Sequence, residues 1–256
     1  MSNRDDISKL YNYSNVLKKT GNILTWLNIA ALSIMLLEND SIEQVMSIIL
    51  IVTSMVFVAI SITDNCVFWF NAESIRRIDL ISNGFKLKIH EYQTDGYYNN
   101  NADPSIIKYA ENAFESAFFS KNNSKRMLLT EGIKSLTIIV LFIVSCYMMP
   151  DIDIILIITQ TTFSTFFVVG FIELCFYYDK VNNIYKLFYK EFITLGISDN
   201  KQMILVLAYT IEYEAIKAYF KVRLSKRIFD DNNKAWTKQW EDIEKQITIV
   251  KNVAVE

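Results

Sequence analysis

From Val45 to Ile62 the chain reads VMSIILIVTSMVFVAISI, a stretch with no charged side chain at all. A helix of that composition has no polar face to offer water, so it belongs in a bilayer or deep in a large core. Other apolar residues are gathered into blocks in the same way, and not spread at a helical period: Gly21–Leu37, Leu136–Met149 and Ile152–Phe176. The first is close to the minimum of about 17 residues that cross a hydrocarbon layer. The third gains length from Gly132–Ser135, with Lys134 snorkelling to the interface, and Pro150 stops it. The fourth is long enough to cross with tilt.

Lysine and arginine set the orientation. Arg4, Lys9, Lys18 and Lys19 precede the first block, eight basic residues lie between the second and third, and a further group begins at Lys180. The two short turns within the pairs carry only Glu38, Asp40, Glu43, Asp151 and Asp153. Basic residues stay on the cytoplasmic side, so the turns face outward and both termini are cytoplasmic. The polar start, MSNRDDISKLYNYSNVLKK, does not resemble a secretory signal, so the first block is expected to be a retained anchor.

The expected fold is an all-α polytopic membrane protein with four transmembrane helices arranged as two hairpins, plus a helical cytoplasmic region. Its segments are a cytoplasmic N-terminal helix over 1–19, hairpin 1 over 20–63, a cytoplasmic insert over 64–132, hairpin 2 over 133–176 and a cytoplasmic helical tail over 177–256. A helix leaving the second span is expected to end at Asn83 and Gly84, a C-cap signal, with Trp69 and Phe70 as an interfacial belt. Residues 90–105 are rich in Asn, Asp, Gly and Pro and read as loop. Ala110, Ala113, Phe114, Ala117 and Phe118 recur three and four apart, which predicts an amphipathic helix over 106–129. A helix after the fourth span is expected to end at Gly196. The tail is read as a helix over 201–228, a break at Asp230–Asn233, and a last helix with Trp236, Trp240, Ile243, Ile247 and Val250 on one face. That stripe needs a partner, either the chain's own helices or another copy.

No catalytic constellation is visible. There is one histidine, His90, and no HExxH, GxSxG or P-loop pattern, so the chain is not expected to be an enzyme or to hold a cofactor or metal. Cys66, Cys146 and Cys175 lie in or beside apolar blocks without CxxC spacing and read as packing residues. A net charge of −2 argues against a general nucleic-acid coat. No ionisable group sits near the middle of a span, and glycine and proline are scarce, which disfavours a secondary transporter.

Two groups of residues are candidates for function. Ser54 and Ser61 in the second span and Gln160, Thr161, Ser164 and Thr165 in the fourth are polar positions in the membrane. They line a pore formed by several copies, or they hydrogen-bond helix to helix, and sequence leaves both open. Arg76, Arg77, Lys86, Lys88, Lys121, Lys125 and Arg126 return to one membrane face, where they anchor to anionic headgroups or ring an electropositive vestibule. Tyr97 and Tyr98, flanked by Asn99–Asn101, add stacking and hydrogen-bonding groups of the kind that hold nucleobases.

The stretches AESIRRIDLISNGFKLKIHEYQTDGYYNNN and ENAFESAFFSKNNSKRM, between Ala72 and Met127, resemble bacterial antiphage-defence effectors with four transmembrane helices, the channel subunits of Hailong-type systems among them. The resemblance implies a homo-oligomeric ion channel, taken as a tetramer, in the bacterial inner (cytoplasmic) membrane. It implies gating by a nucleotide or single-stranded oligodeoxynucleotide made by a partner nucleotidyltransferase, with depolarisation and growth arrest as the outcome. The alternative from another class is a non-conducting scaffold that recruits a cytosolic enzyme through the Trp236–Val250 stripe.

Overall fold

The computed structural model describes residues 6–35, 40–89, 91–92, 100, 102–148 and 168–253, and among them it is all-helical, with no strand. The chain divides into two units: Met1–Asp79 with Ile89–Tyr97, and Leu80–Lys88 with Tyr98–Glu256.

In the first unit, α1 (Asp6–Met35) packs along α2 (Asp40–Thr63). The expected N-terminal helix and the first apolar block form one unbroken rod. A π-helical turn, Asp64–Phe68, then leads from α2 into α3 (Trp69–Phe85). Such turns widen a helix by one residue and recur where a side chain must be re-aimed. Here the turn carries the buried Asp64 carboxylate, which accepts a 2.5 Å hydrogen bond from Ser14 Oγ on α1. Trp69 is buried against Tyr11, ring centroids 5.4 Å apart, so of the expected belt pair only Phe70 is exposed.

Among the described residues one helix is long and apolar enough to cross a membrane, the continuous stretch Ile42–Phe85, and its most apolar part is not buried. Val45, Ile48, Val52, Met55 and Ile62 are all exposed along one broad face of α2. Most of the expected fourth span, including Gln160, Thr161, Ser164 and Thr165, lies outside the described residues.

The second unit is built on α4 (Ile106–Met148), one 43-residue helix that fuses the predicted amphipathic segment with the third apolar block. Against it pack α5 (Val168–Tyr189), α6 (Asn200–Phe220) and α7 (Lys226–Val253). A second π-helical turn, Lys190–Leu195, extends α5, and Gly196 at φ 73° ends it as the sequence predicts. Asp199 caps α6 by accepting from the Gln202 backbone N–H at 2.7 Å. The alanines and phenylalanines of the predicted α4 face are all buried. Phe114 is the hub, with centroids 5.4 Å from Tyr185, 5.5 Å from Phe192 and 5.1 Å from Trp240.

Two boundaries differ from expectation. The tail does not break at Asp230–Asn233; α6 ends at Phe220 with Lys221 in the left-handed region, and α7 runs straight through the polar quartet. Ser225 caps α7, Asp230 pairs with Lys226 at 3.1 Å and Asn232 bonds back to the Ile228 carbonyl, so the quartet is a solvated helical face and not a turn. Gly84 is not the C-cap either, because α3 continues to Phe85 and Lys86 takes the positive φ. Glycine is needed at 84 because a Cβ there would lie 2.8 Å from Tyr109 Cβ.

Candidate functional site

The sequence-predicted basic residues meet different fates. In the first unit Arg76 is buried, with its Nε 2.9 Å from Glu73 Oε2, while Tyr11 Oη donates to Glu73 Oε1 at 2.7 Å. Arg77 spends its Nε on the Glu73 carbonyl at 3.2 Å. These groups tie α1 to α3. In the second unit Lys86 and Lys88 are exposed in the loop after α3. Tyr97 and Tyr98 lie outside the described residues, and Asn100 is buried, donating to Asn112, which in turn donates to Asn83 at 2.8 Å. That asparagine chain pins the loop to α3 and α4.

Lys121 and Lys125 do come together, one turn apart on α4, and Lys186 of α5 joins them. The Lys121 ammonium sits 5.7 Å from the centre of the Phe118 ring and 3.5 Å from the centre of the Tyr185 ring. Half-burial, then the charges of Lys125 and Lys186, lower its pKa to about 8. Burial and then neighbouring Tyr189 push the Tyr185 phenol up to about 12, so it stays a neutral ring and donor. Among the described residues no carboxylate lies within ion-pair distance of Lys121, Lys125 or Lys186. Arg126 is exposed one position further along α4.

Lys121, with Lys125 and Lys186 adding positive charge beside an aromatic face, has the chemistry that suits a phosphate-bearing anion: cations to offset charge, and a tyrosine hydroxyl to hydrogen-bond. Sequence reasoning missed Lys186 and Tyr185. Their only local signal was the Tyr185–Tyr189 spacing beside a lysine, and nothing in it says which helix that face meets.

A second ionisable group lies about a third of a turn around α4. Glu115 is buried, its Oε2 has no hydrogen-bond partner, and its pKa rises to about 8 through burial first, then Glu244 of α7 and Glu111.

No family model, curated protein or solved structure matches this chain.

The hydroxyls of α1 and α2 mostly satisfy themselves. Asn28 of α1 donates to Ser54 Oγ at 3.4 Å and accepts from Thr53 Oγ1, while Thr25 and Thr63 bond their own backbone carbonyls. Ser61 is half-buried.

Proposed function

We propose that this chain is the ion-conducting effector of a bacterial antiphage defence system, gated from the cytoplasm by a nucleotide or short oligodeoxynucleotide. In this reading four spans form two hairpins in the inner membrane, both termini are cytoplasmic, and several copies, a tetramer as the working number, surround a pore. The observation that carries the ligand-gated reading is the lysine cluster at Tyr185, which has no carboxylate in ion-pair distance among the described residues. Holding the Lys121 ammonium half-buried beside two exposed lysines costs stability, and an anionic ligand offsets that cost. The uncovered apolar α2 supports the membrane placement. The defence role, the depolarisation and the partner nucleotidyltransferase rest on the resemblance of Ala72–Met127.

Ion flux from liposomes containing the purified protein, with and without nucleotides and short oligodeoxynucleotides, tests the proposal. Conductance that changes with ligand is expected, and no conductance under any ligand overturns it. The scaffold alternative loses its docking stripe, because Trp236, Trp240 and Ile247 are buried in the core of the second unit. A scaffold would nevertheless co-purify with a partner enzyme expressed from the same operon, and a ligand-gated channel need not.

A further inference from the structure

The elbow between α6 and α7 is densely basic. Residues 217–227 read KAYFKVRLSKR, with five basic side chains and no acidic one. α6 ends at Phe220, Lys221 turns in the left-handed region, and α7 begins at Lys226. Contacts with two other helices set the level of this elbow. The Asn123 amide of α4 donates to the Ser225 carbonyl at 3.0 Å, and the Ser225 N–H donates to Met127 Sδ at 3.3 Å. Phe220 packs edge-on against Tyr177 of α5, ring centroids 6.3 Å apart.

These are also the positions where the exposed apolar surface of α4 and of α5 ends. On α4 it begins at Leu129, 71% exposed, and goes on through Ile133, Leu136 and Val140; on α5 it runs through Val169, Ile172 and Phe176. A Cβ added to Gly132 would lie 3.2 Å from Phe171 Cε2, so the two apolar stretches stand side by side. Positive charge therefore meets apolar surface at one level on both helices, as it does where a protein leaves a bilayer.

Lys221 adds a second, independent sign. A left-handed C-cap is filled at least strain by glycine or asparagine, yet an exposed lysine stands there at φ 50°. Its backbone N–H closes the turn on the Lys217 carbonyl at 3.2 Å, so the turn uses the backbone and leaves the ammonium to the surface. Arg227 is exposed in the first turn of α7 and Arg126 is exposed beside Met127 on α4, while Lys226 is shared with Asp230 at 3.1 Å. Tyr219, 81% exposed and backed edge-on by Phe220 at 5.0 Å, is an aromatic of the kind that settles at headgroup depth.

Resting on the membrane placement of α4 and α5 in the reading above, we propose that the 217–227 elbow lies on the cytoplasmic leaflet and docks on anionic lipid headgroups, with Lys221 and Arg227 as charge contacts and Tyr219 at the interface. The occupant is a lipid surface because the charge is continuous with the exposed apolar side chains of two helices, and a bilayer matches both at once. Each lysine or arginine near such a surface contributes about a fivefold preference for anionic lipid, screened by salt. α7 returns from the elbow to cover Phe114 with Trp240, so docking seats the base of the helical bundle on the membrane.

The test is amide hydrogen exchange of the 221–225 linker in the full-length protein, in nanodiscs of phosphatidylcholine with and without phosphatidylglycerol. Exchange about fivefold slower in the anionic discs is expected at low salt, with the difference lost at high salt. Lys221→Asn, which suits the left-handed turn, should at least halve the ratio without lowering thermal stability, and adding Arg227→Gln should bring it near one. An undiminished ratio in the double variant overturns the charge contacts. Equal exchange of the wild-type linker in both lipids overturns the docking, and flotation of the same protein with neutral vesicles after alkaline extraction leaves the membrane placement standing. A protein that does not float overturns the placement and the docking with it. Equal slowing at the start of α6 marks general stabilisation and overturns local docking. Soluble tripolyphosphate that slows the linker in neutral discs as much as anionic lipid does overturns headgroups in favour of a free anion.

Discussion

The Lys121 ammonium lies 3.5 Å from the centre of the Tyr185 ring, joining α4 to α5 at a point where two further lysines, Lys125 and Lys186, add positive charge. With its pKa lowered to about 8, Lys121 is charged at neutral pH and loses its proton as the pH rises through 8. Anion affinity should therefore fall between pH 7 and 9. Lys121→Arg, which stays protonated throughout, should hold its affinity over that range. Tripolyphosphate titrations at pH 7, 8 and 9 check this; parallel declines in both proteins would assign the effect to another group.

Glu115 makes stability depend on pH in the opposite sense to a surface carboxylate. Its ordinary value is 4.5 and its folded value about 8, so between these the native state keeps a proton that the unfolded chain releases. Stability should fall as pH rises from about 5 to about 8. Glu115→Gln, neutral and nearly isosteric, should flatten that slope in thermal unfolding curves recorded at pH 5, 6.5 and 8. An identical slope in the variant would clear Glu115 of responsibility.

Gly84→Ala should cost about 1–3 kcal/mol by overpacking, because the new Cβ meets Tyr109 at 2.8 Å and 2.9 Å from its Cβ and Cα. Gly170→Ala, where nothing lies within 4 Å, should cost no stability. Chemical unfolding of both variants in the same detergent gives the comparison, and equal losses would contradict the contact.

Asn28 bridges α1 and α2 through Thr53 and Ser54. On the proposed membrane placement, Asn28→Ala should weaken that pair by about 0.6–2 kcal/mol, the range for hydrogen bonds between membrane helices. Steric-trapping unfolding measures it, and a loss indistinguishable from zero would return these hydroxyls to the pore-lining reading.

Some of the architecture is legible locally. The Ala110, Ala113, Phe114, Ala117 and Phe118 spacing predicts a buried helical face, and all five are buried. The Trp236–Ile247 stripe announces that α7 covers something, but whether its partner is the same chain is a question of tertiary contact, answered by Phe114 against Trp240. Boundaries are less legible. Asp230–Asn233 carries the composition of a turn, yet Ser225 and Lys226 supply the cap and ion pair that keep it helical. Gly84 has the signature of a helix stop, and its real constraint is a neighbour 25 positions away in sequence, Tyr109.

The all-helical class and the apolar character of α2 follow from periodicity and composition alone, because both are properties of neighbouring residues. The sequence puts Arg76 and Lys121 in one basic set, and by local criteria they are alike. Only the tertiary structure separated them. Arg76 faces Glu73 one turn away and becomes part of the scaffold, while Lys121 is carried by α4 against the Tyr185 ring of α5, where lysines and, among the described residues, no carboxylate await it. Whether a charge is spent or left available depends on which helix packs against it, and that is set by long-range burial and not by spacing along the chain.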